Sequence, residues 1–232
     1  MVTAFDRIII VVPDLQVAVA QYRLLLSGEP APAIADTGAP ANWFCLDNTV
    51  IELRQAQVEQ PAIYGIVLRD PSAGQLDSEL LNPLKLHLYR NNGRASAQAR
   101  PQQGRASESP SAVDHLVLRT SDAQSCIGVF SGELGIRLAL DRTVPEWGGR
   151  MLFFRAGQMT LEVIESAGDG TAGEGFWGLA YQCINLPATC DWLRTSGIEL
   201  SEIREGRKPG TRVATLKSHC LGIPTLLVEP AI

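Results

Sequence analysis

The chain has 232 residues, 45% of them hydrophobic and 19% charged, with a net charge of −5. That suits one large or two ordinary globular domains with a real core, and the absence of a basic stripe argues against a nucleic-acid partner. The first apolar run, 8–12, is strand-sized, so neither a secretory leader nor a membrane span is expected. Five scattered cysteines without CxxC spacing predict neither a disulfide framework nor a structural zinc site, and the cytoplasm is the expected location.

In chain order, Phe5-Asp6-Arg7-Ile8-Ile9-Ile10 reads as a strand. Val12-Pro13-Asp14-Leu15 then opens an amphipathic helix over 16–26, closed by Ser27-Gly28. Val50-Ile51-Glu52-Leu53 is a later strand of the same unit. A second start, Tyr64-Gly65-Ile66-Val67-Leu68, is followed by a strand over 84–90 and fits a complete unit badly. Residues 93–111, rich in Gly, Ala, Ser, Gln and Arg, read as a flexible linker between domains 1–92 and 112–232. A third start, Val113-Asp114-His115-Leu116-Val117-Leu118, precedes a helix capped by Ser121-Asp122 and strands over 136–142, 150–155 and 159–165. The fourth, Trp177-Gly178-Leu179-Ala180-Tyr181, precedes a helix beginning at Leu186-Pro187 and strands over 199–204, 212–217 and 225–229.

These starts form an internal repeat. Aligning them brings Arg7, Gly65, His115 and Gly178 to one position, at separations of 58, 50 and 63 residues. The last strands keep the same distance: 45 residues from Arg7 to Glu52, 47 from His115 to Glu162 and 48 from Gly178 to Leu226. The predicted class is α+β, built from repeated βαβββ modules.

The repeat, with its Phe5-Asp6-Arg7-Ile8, Val113-Asp114-His115-Leu116 and Thr160-Leu161-Glu162-Val163 motifs, resembles the vicinal oxygen chelate superfamily of glyoxalases, bleomycin-resistance proteins and extradiol dioxygenases. The resemblance implies paired modules forming two curved mixed sheets. In that family the first strand presents His or Gln, and the fourth Glu, to a divalent Zn, Ni, Fe or Mn ion. Residue by residue, this makes His115 and Glu162 the candidate catalytic and metal-binding pair. Arg7 stands where unit one should carry His, and pairing with Glu52 is expected of it. Gly178 and Leu226 offer no ligand. Leu86-His87-Leu88 resembles Ile51-Glu52-Leu53, so His87 would complete a two-His, one-carboxylate triad if unit two faced unit three.

Two cationic turns, 142–150 and 206–212, nominate Arg150 and Arg212 for an anionic substrate group, and Trp147 and Trp177 for an apolar pocket wall. Glu165, Glu229 and His219 are expected to be solvated. Three functions remain open. One is metal-assisted lyase, isomerase or dioxygenase chemistry on an oxygen-rich small molecule. Another is metal-free sequestration of such a ligand, and the third a dimeric scaffold. The expected partners are a small, anionic ligand and, for the scaffold, a second copy of the chain.

Overall fold

The computed structural model describes residues 1–35, 38–99, 105–144, 149–166 and 174–231. Strand β1 (Ala4–Val12) sends Ile8, Ile10 and Val12 into the main apolar cluster and leaves Arg7, Ile9 and Val11 on its other face. Helix α1 (Leu15–Leu26) is started by Asp14, whose carboxylate accepts from the Val17 amide at 3.0 Å. It ends at Ser27 in the left-handed region, φ 49°. Strands β2 (Ala31–Ile34), β3 (Pro40–Cys45) and β4 (Val50–Gln55) complete the module. β4 lies parallel to β1, with Glu52 opposite Ile9.

The second module keeps only β5 (Ala62–Arg69), β6 (Ser78–Leu80) and β7 (His87–Asn91). Its helix is missing for a local reason. Pro71 and Gly74 disfavour a helix there, and the Asp70 carboxylate engages the Ser72 amide and hydroxyl at 3.0 and 2.7 Å, closing a turn. The two modules make one sheet in the order β2-β3-β4-β1-β5-β7-β6.

The segment expected as a linker contains helix α2 (Arg94–Ala99). The Asn91 and Asn92 side chains accept from the Gly93 and Arg94 amides, and the buried Ser96 hydroxyl bonds Asp6. The Ala and Gln content that suggested a loop also has good helix propensity.

The third module runs β8 (Ala112–Thr120), α3 (Ala123–Cys126) continued by a π-helical segment (Ile127–Glu133), then β9 (Arg137–Val144), β10 (Gly149–Ala156) and β11 (Met159–Ser166). The fourth runs β12 (Gly175–Gln182), α4 (Leu186–Thr195), β13 (Arg204–Glu205), β14 (Arg212–Leu216) and β15 (Thr225–Glu229). Their sheet has the order β13-β14-β15-β12-β8-β11-β10-β9. Consecutive modules therefore pair, first with second and third with fourth, through antiparallel β1·β5 and β8·β12 contacts.

Glu165 and Glu229 are not simply solvated. At the ends of β11 and β15 they accept from the Ala123 and Leu186 amides at 2.8 and 2.6 Å, capping the helix of their own module.

One apolar cluster joins the helix-side faces of both sheets, including Ile8, Tyr22, Leu53, Leu116, Phe154, Leu179 and Leu227. A separate small cluster of Ala180, Val213, Val228 and Leu226 lies on the other face of the second sheet. All five cysteines are buried and outside any disulfide, and burial pushes Cys126 and Cys183 up to about 12.

Candidate functional site

His115, Val117 and Arg119 alternate with Leu116 and Leu118, which enter the core, so the first three share the helix-free face of β8. On β11, Leu161 and Val163 likewise enter the core and leave Glu162 on that face. The parallel register sets Thr160 opposite His115 and Glu162 opposite Val117. His115 Nε2 lies 3.5 Å from Glu162 Oε2, with 20% and 12% of the side chains exposed. The two sequence-nominated residues thus converge.

A bulge organises this pair. Between Val113 and His115 the ladder with β12 skips Asp114, whose Oδ1 lies 2.8 Å from His115 Nδ1. An Nδ1 proton donated to Asp114 leaves Nε2 for Glu162 and the cleft. Burial lowers the His115 pKa, but the bond to Asp114 and the charge of Glu162 outweigh it, and the net shift is upward. Glu162 is also raised, by burial foremost, against the opposing charges of His115 and Arg207. Arg207 belongs to the turn between β13 and β14, on the far flank of the sheet.

The first sheet carries the same device with different chemistry. There the ladder skips Asp6 beside Arg7. Arg7 binds Asp6 at 3.1 Å, Glu52 at 3.1 Å and Asp77, and lies 4.7 Å from the Trp43 ring centroid. Glu52 also receives Trp43 Nε1 at 3.1 Å and Arg54 Nη2 at 2.7 Å. Asp6 and Glu52 are buried, and the Asp77 side chain is only 8% exposed. Desolvation works against the Arg7 cation, yet Asp77, Glu52 and Asp6 raise its pKa. The expected Arg7–Glu52 ion pair is present, and Arg7 stands where His115 stands in the third module.

The other nominated residues do not join the pair. His87 lies in the first sheet, stacked on Tyr64 at 3.9 Å between ring centroids and bonded to Glu79 at 3.1 Å. Register explains why it cannot serve as the fourth-strand ligand. His87 is opposite Gly65, and Tyr89, opposite Val67, holds the position that Glu52 and Glu162 hold in their modules. Arg150 and Arg212 have the parity of the core residues Leu152 and Ala214, and Asp141 and Glu229 grip them at 2.7 and 2.6 Å. Trp147 lies outside the described residues. Trp177 is 39% exposed, under the Arg119 guanidinium at 3.8 Å. His219 lines a hollow of about 390 Å³ with Asp14, Gln21 and Lys217, and neither His115 nor Glu162 contributes to it.

Sequence reasoning passed over Asp114 as a partner and Arg119 altogether. Both were within reach: Asp114 precedes His115 as Asp6 precedes Arg7, and Arg119 follows His115 at even spacing.

The donor set does not fit a resident catalytic metal. Such sites generally use three protein ligands, whereas this cleft offers His115 and Glu162. Among the described residues no three His, Cys, Asp or Glu side chains are arranged to hold an ion. Arg207 further places a competing positive charge near Glu162.

Residues 114–215 match the Glyoxalase/Bleomycin resistance protein/Dioxygenase superfamily. A triple mutant of 4-hydroxymandelate synthase from Streptomyces coelicolor superposes with a TM-score of 0.72 at 10% identity, covering 99% of this chain and 93% of that one. Methylmalonyl-CoA epimerase from S. coelicolor matches at TM-score 0.45 and 21% identity, over 53% of this chain and all of the other, 100%. The Mycobacterium tuberculosis epimerase gives 0.44 and 24%, over 55% and 93%. No curated protein sequence matches. Among the described residues no helix is long and apolar enough to cross a membrane. The chain as a whole thus has the vicinal oxygen chelate fold, and its residues 114–215 are similar to the glyoxalase, bleomycin-resistance and dioxygenase superfamily.

Proposed function

We infer that the C-terminal cleft binds a small oxygen-bearing molecule without a resident metal, in a binding or sequestering role of the bleomycin-resistance type. The observation that carries this reading is the Asp114–His115–Glu162 chain, with its 2.8 and 3.5 Å contacts on a partly open sheet face. A cationic imidazole offers Nε2–H to a ligand oxygen, and Glu162 accepts from a ligand hydroxyl. Around them Val117, Ala180 and Val228 give apolar walls.

The closeness of His115 to Glu162 also favours a second reading, because the same two groups are part of a metal-ligand set. A third donor from outside the described residues, or from a second copy of the chain, would turn the cleft into a metal-assisted lyase, isomerase or dioxygenase site.

The test is ligand-induced thermal stabilisation across hydroxy acids, keto acids and catechols, with and without EDTA. The first reading predicts a stabilising ligand whose effect survives EDTA and is lost in His115→Ala and Glu162→Gln. Stabilisation that requires a divalent ion would support the enzyme instead.

A further inference from the structure

Arg119 differs from Arg150 and Arg212, the two strand arginines of this sheet that hold a carboxylate. It lies on β8, one of the two central strands of the eight-stranded sheet, and shares the face of His115 and Val117. Its guanidinium is stacked on Trp177 at 3.8 Å. No carboxylate pairs with it among the described residues, whereas Arg150 and Arg212 each hold one. Trp177 is the residue the β12 ladder skips, between Phe176 and Gly178. The bulge that re-aims it also presents a large aromatic face that is 39% exposed. Tyr64 is skipped at the equivalent point of β5, and it too lies beneath a group able to carry charge, His87.

A guanidinium held flat on an aromatic ring keeps its edge donors directed outward and loses little freedom on binding a planar or tetrahedral oxyanion. At about 3.3 Å per residue, Arg119 stands ~7 Å along the sheet from the level of Glu162 and ~13 Å from His115. The strip between is apolar, with Val117 beside Gly178.

We propose that Arg119 and Trp177 form a second subsite of the cleft, which takes the anionic end of an elongated ligand whose opposite oxygen reaches His115 and Glu162. This deepens the reading of the cleft given above and rests on it. The ligand class is an aryl or similarly flat apolar body with an oxygen at one end and a carboxylate or phosphate monoester at the other.

Three probes with one body separate the contributions: 3-(4-hydroxyphenyl)propionate, 2-(4-hydroxyphenyl)ethyl phosphate and the neutral 3-(4-hydroxyphenyl)propan-1-ol. Dissociation constants are measured by calorimetry on the full chain, with thermal unfolding as the check that each variant is folded. The wild type should prefer an anionic probe over the alcohol. Arg119→Ala should weaken that probe roughly ten- to hundredfold and leave the alcohol unchanged. Arg119→Lys should recover part of the loss, since it keeps charge without the planar fork, and Trp177→Phe should keep most of the affinity. The preferred anion identifies carboxylate or phosphate as the natural head group. Equal affinity for all three probes, an anion preference that survives Arg119→Ala, or no binding of any probe overturns the subsite. The cleft reading is judged separately, because His115→Ala and Glu162→Gln should weaken all three probes alike through the shared phenol.

Discussion

Arg7 and His115 occupy one position in two copies of the same strand, each beside a bulged aspartate and in contact with a glutamate of the neighbouring parallel strand. In the first sheet the guanidinium is permanently charged, only 3% exposed and surrounded by Asp6, Glu52 and Asp77. Removing it would strand buried carboxylates, so Arg7→Ala should cost about 3–5 kcal/mol in urea unfolding. A loss below 1 kcal/mol would show that those carboxylates reach water or another cation. In the second sheet the group is titratable. The folded His115 pKa is raised above its ordinary 6.5, with burial opposed and exceeded by Asp114 and Glu162. Stability gained from a raised pKa is present below 6.5 and is lost as pH climbs through the folded value. Glu162 is shifted upward as well, so its contribution has the same sign. Urea midpoints of the wild type should therefore fall as pH rises from 6.5, more steeply than those of His115→Gln. Parallel profiles would remove His115 as the titrating group. At this scale the sequence showed which residues converge, because alternation sets the face of His115 and Glu162. It did not show Asp114 as a partner, because a bulge changes side-chain direction without changing spacing.

Helix boundaries were legible wherever a polar cap precedes an apolar period. Asp14, Asp122 and Asn185 each accept from an amide three residues on. The far ends of the modules were less so. Glu165 and Glu229 look like solvent-facing strand ends in one dimension, and only the return of β11 and β15 beside the module's first strand brings them to a helix start. Their charge complements the helix N-terminus, so Glu165→Ala should cost about 1–2 kcal/mol. Glu229→Ala should cost at least as much, because Arg212 loses its partner too. The two changes lie in different modules, so the double variant should lose the sum. A marked departure from additivity in chemical unfolding would mean that the modules do not melt together. Register was the element-scale quantity hidden from the sequence. Leu86-His87-Leu88 has the alternation of a fourth strand, yet pairing with β5 puts Tyr89, two residues on, at the glutamate's level. Sequence similarity over three residues cannot specify a ladder.

For the whole molecule, the repeat made the α+β class and the module architecture readable, while the pairing of modules needed the structure. Short connections favour consecutive partners, and the chain follows that rule: first with second, third with fourth. The two sheets then share one apolar cluster on their helix sides. Asn48 adds a polar link, bonding the backbone of Val113 at 2.7 and 3.0 Å. This arrangement separates the two copies of the site. One is filled by the protein's own cation, and the other is left with two donors, a neighbouring arginine and a reachable sheet face. Linkage of metal to folding gives the sharpest check, since an ion that binds only the native state must raise its stability.

The decisive measurement is metal stoichiometry on purified full-length chain, followed by titration of Zn, Ni, Fe and Mn against thermal stability, for the wild type and His115→Ala. A metal-free recognition cleft predicts no stoichiometric ion and the same small response in both proteins. One tightly held ion per chain, stabilising the wild type and absent from His115→Ala, would contradict it.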